Sequence, residues 1–322
     1  MKKGLVLITV LFMSVSSFAQ KPDTLIKKLD SLSKKKDSTG RQINNTTSTA
    51  YNEATKITFP SYFILLGSDL KQAFTKPFHM TTRDWIKTGK FAIVLAGVSL
   101  LDEPIQHKAL QIRNGSTTLQ SVSKQVTNFG GPYEGYTLAA LGAYGYIFRN
   151  DKMQTTTWLA TQAYITGGAI ESVLKFVSGR ARPYFTDSTK VQAEPTFYGP
   201  FYKTPKDANG RTTNSSFPSG HTTVAFAAAT VFAMEYHNRP LIPIMAYSAA
   251  TLIGLSRIAE NKHWATDVLT GAAVGYLTGK LVVNNYHRYA KLKAPQQKKN
   301  SVTFNLQYNM GTLMPGLTYT FR

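Results

Sequence analysis

Apolar residues arrive in long stretches separated by polar breaks, and six of those stretches dominate the chain: 91–101, 136–148, 158–176, 222–234, 241–255 and 268–283. Alanine, glycine and leucine abound in them, and the pattern predicts an all-α fold, a helical bundle of about six core helices. The period changes at the end of the chain. Val302, Phe304, Leu306 and Tyr308 alternate with Thr303, Asn305 and Gln307, and Leu317, Tyr319 and Phe321 alternate again after Asn309-Met310-Gly311, which predicts a short C-terminal β-hairpin. Two strands cannot close a membrane barrel, which needs about 8.

Polar and charged positions divide the rest. Residues 1–19 have a basic start (Lys2, Lys3), an apolar stretch at 4–13 and Ser17-Phe18-Ala19 before Gln20, the layout of a cleavable signal peptide. Residues 20–56 are rich in Lys, Ser, Thr, Asp and Asn and read as a flexible polar leader. The expected division is a signal peptide at 1–19, the leader at 20–56, the helical domain at 57–292, and a basic linker with the hairpin at 293–322. A chain of 322 residues can bury one substantial core. The absence of cysteine is compatible with an oxidising envelope compartment. The expected location is therefore the cell envelope, exported, either periplasmic or membrane-associated.

Most uncharged stretches are too short to span a bilayer, and mean hydropathy is slightly negative, which favours core helices; 241–256 is a longer uncharged run. The formal net charge of +20 draws anionic partners. No nucleic-acid recognition motif accompanies it, so an anionic membrane surface is the expected partner and nucleic acid is not. The basic clusters Lys27, Lys28, Lys34, Lys35, Lys36 and Arg288, Lys291, Lys293, Lys298, Lys299 would suit such docking, or serve as solvated tails.

Three short blocks carry the chemistry. KFVSGRARP supplies two cations, Lys175 and Arg182, with Pro183 expected to stop a helix beside Arg182. PSGH places Ser219 and Gly220 just ahead of an apolar helical run, where N–H groups can face an anion, and puts His221 in the first turn. SRIAENKHWATD adds Arg257, then His263 and Asp267 at i,i+4, a spacing that predicts imidazole and carboxylate on one helical face. A carboxylate that holds one ring N–H leaves the other nitrogen as a directed nucleophile, which makes His263 the candidate nucleophile. His221 is then the candidate proton donor to a leaving alkoxide. Glu171, four residues before Lys175, is expected to support that lysine by an ion pair. GAAVGYLTG at 271–279 reads as small residues for close helix packing.

Taken together, the pattern K-x6-RP, PSGH, SR-x5-H-x3-D resembles the signature of the type 2 phosphatidic acid phosphatase superfamily, which includes bacterial class A acid phosphatases and vanadium haloperoxidases. The resemblance implies that Lys175, Arg182 and Arg257 bind phosphate, that Ser219 and Gly220 donate hydrogen bonds to it, and that His221 is the general acid. It makes His263 a transient phosphohistidine oriented by Asp267, with no metal and no cofactor. It also implies a phosphatase acting on phosphate monoesters or diphosphates, with a phosphorylated lipid or a small soluble phosphate ester as substrate. Vanadate-dependent halide oxidation is the alternative from another class. The polar, aromatic gap at 184–217 is where substrate access would differ among members.

Overall fold

The computed structural model describes residues 54–184, 194–201 and 213–293, and the backbone of 301–309 and 312–320. The expected signal peptide and almost all of the leader lie outside the described residues, as do most of the substrate-access gap and the linker after residue 293.

Nine α-helices follow one another among the described residues: α1 (Phe59–Thr75), α2 (Thr82–Ser99), α3 (Asp102–Asn114), α4 (Thr117–Phe129), α5 (Pro132–Ile147), α6 (Asp151–Ser178), α7 (Gly220–Glu235), α8 (Leu241–Ala259) and α9 (Ala265–Lys293). The all-α expectation holds, but the count of about six is too low. The helices that the apolar stretches do not announce are α1, α3 and α4. Local caps define two of them: Thr58 and Ser61 form a capping box before α1, and the Ser116 hydroxyl accepts the Leu119 N–H at the start of α4. The third, α3, is mostly polar and turns only Asp102 and Gln106 fully inward. Ser301–Asn309 and Thr312–Thr320 trace two antiparallel strands in a two-stranded sheet of their own.

The centre of the fold is α7, an alanine-rich helix packed against α6, α8 and α9. Its contact with α9 is a backbone contact made possible by glycine. A Cβ at Gly271 would stand 2.6 Å from the Ser219 carbonyl oxygen, and at Gly275 and Gly279 it would strike the carbonyls of Thr223 and Ala227. These glycines recur every four residues opposite partners that do the same, so the Gly-rich phrase is a packing seam, as its composition predicted. Around the seam, Leu65, Leu159, Ala163, Ala227, Val231, Val282 and Tyr286 form the main apolar core. The last leader residues are tied to it: the Thr55 N–H donates to the Tyr286 hydroxyl oxygen at 3.0 Å, and that hydroxyl donates back to the Thr55 carbonyl at 2.8 Å.

Pro183 does not end the helix before Arg182. The stop comes at Gly179, which takes the left-handed conformation with φ 53° and lies so close to the Gly199 carbonyl that no Cβ fits. Arg182 therefore projects from extended chain beyond α6, while Lys175 stays in the helix's last turn.

Candidate active site

The three blocks converge at one end of the bundle, where α6 and α8 end and α7 and α9 begin. His263 sits in the loop between α8 and α9 and is 1% exposed. Its Nδ1 lies 2.7 Å from the Ser216 carbonyl oxygen. A carbonyl only accepts, so Nδ1 carries the ring hydrogen and Nε2 keeps its lone pair.

Asp267 is not the direct partner that the i,i+4 spacing predicts. Because α9 starts only at Ala265, His263 precedes the helix, and Asp267 Oδ2 stands 3.6 Å from Nδ1, beyond hydrogen-bond length. That oxygen accepts instead from the Trp264 N–H at 2.8 Å and from the Ser216 hydroxyl at 2.5 Å. Asp267 thus reaches the imidazole through Ser216, whose carbonyl it helps to hold in place. Burial raises the Asp267 pKa, against the lowering effects of Arg180 and of its hydrogen bonds.

His221 occupies the first turn of α7, beneath the corner between α4 and α5. A Cβ on Gly131 would stand 3.2 Å from His221 Nε2, and one on Gly130 2.9 Å from its Cβ, so the two glycines let the chain lie directly on the ring. Burial, reinforced by Arg257, Lys175 and Arg182, pulls the His221 pKa down to about 3. The same causes hold His263 well below the ordinary range: burial first, then Arg182, Arg257 and Lys175. Both rings are therefore neutral near pH 7.

The cations are placed by different means. Lys175 pairs with Glu171, as the spacing predicted, and the pair packs on Gly220, where a Cβ would meet the Glu171 carboxylate and stand 3.2 Å from Lys175 Nζ. Arg182 Nη2 donates to the Ser215 carbonyl and hydroxyl oxygens, each at 3.2 Å. Arg257 is buried, and its Nε has no partner among the described residues. The Ser219 N–H is already committed to the Asp267 carbonyl at 3.0 Å, and the Ser219 hydroxyl oxygen accepts from Thr222 at 2.9 Å. What Ser219 can offer an anion is its hydroxyl hydrogen, beside the N–H groups of Gly220 and His221 in a first turn that has no intrahelical acceptors.

Ser216, Arg180, Thr266 and Asp102 also belong to this cluster, and sequence reasoning passed over all four. Arg180, Thr266 and Ser216 sit within or next to the blocks and could have been noticed; Asp102 lies far upstream in a polar stretch and carries no signal.

Stability should follow the two imidazoles. The unfolded chain takes up protons on His221 and His263 near pH 6.5, while the folded protein resists until pH falls far lower, so their stabilising contribution is complete above about 6.5 and is lost as pH drops below it. Asp267, with its raised pKa, acts in the opposite sense. Asp69 and Glu134, whose pKa values burial raises, that of Glu134 to about 8, act with Asp267 and offset part of that loss, so the histidine share is read by difference: between pH 7 and pH 5 the His221→Asn protein is expected to lose less melting temperature than the parent. Thermal melts of the two proteins across that range test this.

At one end of the bundle three cations, two neutral imidazoles and a helix N-terminus come together, an arrangement with the charge and donors that suit a tetrahedral oxyanion. The family model of the PAP2 superfamily matches residues 156–291. All three blocks lie within that stretch. Among relatives, the chain is 54% identical over 71 residues to a lipid A 1-phosphatase of Porphyromonas gingivalis, covering 22% of this chain and 16% of that protein. It is 30% identical over 165 residues to lipid phosphate phosphatase 1 of Arabidopsis thaliana, covering 44% and 50%. The chain thus spans half or less of these two curated relatives. The crystal structure of Aquifex aeolicus LpxE is 24% identical, covering 57% of this chain and 94% of that one, with a TM-score of 0.42.

Proposed function

We propose that this protein is a phosphatase that removes phosphate from a lipid-linked ester through a phosphohistidine. The observation that carries the reading is the meeting of Lys175, Arg182 and Arg257 around two imidazoles, one of them with its tautomer set by the Ser216 carbonyl. In this reading the three cations, the Ser219 hydroxyl and the Gly220 N–H hold the phosphate oxygens and offset the charge of the transferring group. The His263 Nε2 lone pair forms a bond to phosphorus while the ester P–O bond breaks, and its electron pair leaves on the alkoxide oxygen. His221 gives that oxygen a proton. Water then attacks phosphorus, His221 takes the water's proton, and the N–P bond breaks to restore neutral His263. Asp267 acts through Ser216.

The lipid substrate is supported by the exposed surface. Leu241, Ile244, Met245, Leu252 and Leu255 on α8 are each more than half exposed, and α8 is the one described helix long and apolar enough to cross a membrane. An apolar face of this extent on a protein with a +20 charge suits association with an anionic membrane. Export by the 1–19 segment would place the enzyme in the envelope, and the division at 20–56, 57–292 and 293–322 belongs to the same proposal. So does the terminal hairpin, in which Phe304 stands opposite Leu317.

The test is a substrate panel run on purified protein in detergent: phosphatidic acid and a glycolipid phosphate against p-nitrophenyl phosphate, each with and without a chelator. Lipid turnover at higher kcat/KM, unaffected by chelator, is expected. Preference for the aryl ester would overturn the lipid substrate, and activity that is lost to chelator and restored by a divalent cation would overturn the metal-free scheme.

A further inference from the structure

Arg180 lies two residues before the phosphate-binding Arg182, yet its side chain turns away into the protein and is 1% exposed. Nη1 donates to Asp267 Oδ1 and to the Thr266 hydroxyl, each at 2.6 Å, and Nη2 donates to Asp102 Oδ2 at 2.7 Å. The guanidinium is capped by the Phe197 ring, 4.7 Å from its centroid, with Phe217 and Trp264 each at 5.9 Å. Asp102, wholly buried, is doubly engaged with the start of α9: it accepts the Thr266 N–H at 2.9 Å and the Thr266 hydroxyl at 2.6 Å. The main chain adds a second link, since the Arg180 carbonyl accepts the Ser216 N–H at 3.0 Å.

We propose that Asp102 and Arg180 are positioning residues for His263, forming a buried Asp102–Arg180–Asp267 charge chain that fixes the Ser216 carbonyl and supplies negative charge behind the imidazole. The inference rests on the phosphohistidine reading given above. Arg180 holds Ser216 from both sides, through its own carbonyl and through Asp267, and Ser216 in turn sets the tautomer and orientation of His263. Two carboxylates share one guanidinium, so the chain carries a net charge of about −1 when both are ionised.

That charge has a use. When Nε2 bonds to phosphorus and Nδ1 keeps its hydrogen, the imidazole ring becomes cationic among Lys175, Arg182 and Arg257, which all disfavour it. Asp267 offsets the new charge only if Arg180 does not cancel it, and Asp102 is the second anion that occupies Arg180. The bracket extends along the same loop: Gln106 Nε2 donates to the Ile258 carbonyl at 3.0 Å and to Asn261 Oδ1 at 2.8 Å, and Arg113 Nε meets Glu260 at 3.1 Å. Helix α3, which precedes the stretch matched by the family model, thus serves as a platform for the nucleophile loop.

The experiment compares Asp102→Asn, Arg180→Lys and His263→Ala with the parent protein, reading kcat, KM, inhibition by inorganic phosphate, and melting temperature. Asp102→Asn keeps the shape but removes one charge and one of the two acceptor oxygens; Arg180→Lys keeps the charge but cannot reach both carboxylates. Each is expected to lower kcat about 10- to 100-fold, the range typical of residues that orient a reactive ligand. KM and phosphate inhibition should stay within about threefold, because the cations that hold phosphate are untouched. Parental kcat in either folded variant would overturn the proposal, as would parallel loss of kcat, phosphate inhibition and melting temperature, which marks a merely structural pair. Should Asp102→Asn not accumulate as folded protein, Arg180→Lys decides, and failure of both to fold also overturns the proposal. An active His263→Ala protein would instead sink the phosphohistidine reading itself.

Discussion

Replacing His263 with alanine is expected to lower turnover by at least about 10⁴-fold and to abolish an acid-labile phosphoenzyme, while inhibition by inorganic phosphate persists. The asymmetry follows from the geometry. Of the two imidazoles in the site, His263 is the one whose Nδ1 is pinned, at 2.7 Å from an acceptor that cannot donate, so its Nε2 is committed to the basic, unprotonated form. Burial and the neighbouring cations keep that nitrogen unprotonated well below neutral pH, so no turnover is lost to a blocked nucleophile at working pH. Removing the ring leaves Lys175, Arg182, Arg257 and the α7 N-terminus intact, and in the proposed mechanism these hold the anion without attacking it. Rapid quenching with a phosphate-labelled substrate reads the intermediate directly. A labelled enzyme that survives in the alanine variant would show that another group attacks phosphorus.

His221→Asn is expected to cost about 10²- to 10⁴-fold with an alkyl or lipid phosphate, and less than about tenfold with p-nitrophenyl phosphate, whose phenolate leaves without a proton. The sign of the pKa shift makes a second expectation. With its pKa pulled to about 3, His221 is neutral near pH 7, whereas donation to an alkoxide needs the cationic ring. Part of that shift is the repulsion of Arg257, Lys175 and Arg182, and a bound phosphate dianion opposes it; the pKa rises on binding and the ring takes up a proton from solvent. Calorimetry of phosphate or vanadate binding in buffers of different ionisation enthalpy should record this uptake between pH 5 and 7, and the His221→Asn protein should lose it. Equal losses on both substrates, with no proton linkage, would remove His221 from the acid role.

The local geometry of the candidate site was legible because it is carried by residue types at short, fixed spacings. Lys175 with Glu171, Ser219-Gly220-His221 at a helix start, and the glycine seam at 271–279 all depend on one turn of helix or one cap, and local spacing predicts those well. Where the reading went astray, tertiary contacts had overruled the local pattern. His263 and Asp267 stand four apart, yet the helix begins between them, because the carboxylate is drawn to the Trp264 N–H, Ser216 and Arg180. Pro183 looked like the helix stop, but the close approach of Gly199 places it at Gly179. The apolar stretches were read as core on their length. In the fold, whole stripes of them face outward, since run length says nothing about which side chains find partners.

By itself the sequence determined that the chain is helical and which cations and imidazoles could act on phosphate, since each of these follows from residue identity and neighbours within a turn. Only the tertiary structure decided how His263 is held and which groups brace it. Ser216 lies 47 residues from His263, and Asp102 lies 164 from Thr266, so no local rule links either pair. The packing of α3 against the start of α9 brings a buried carboxylate to a buried guanidinium, and the cost of leaving either unpaired holds that arrangement together.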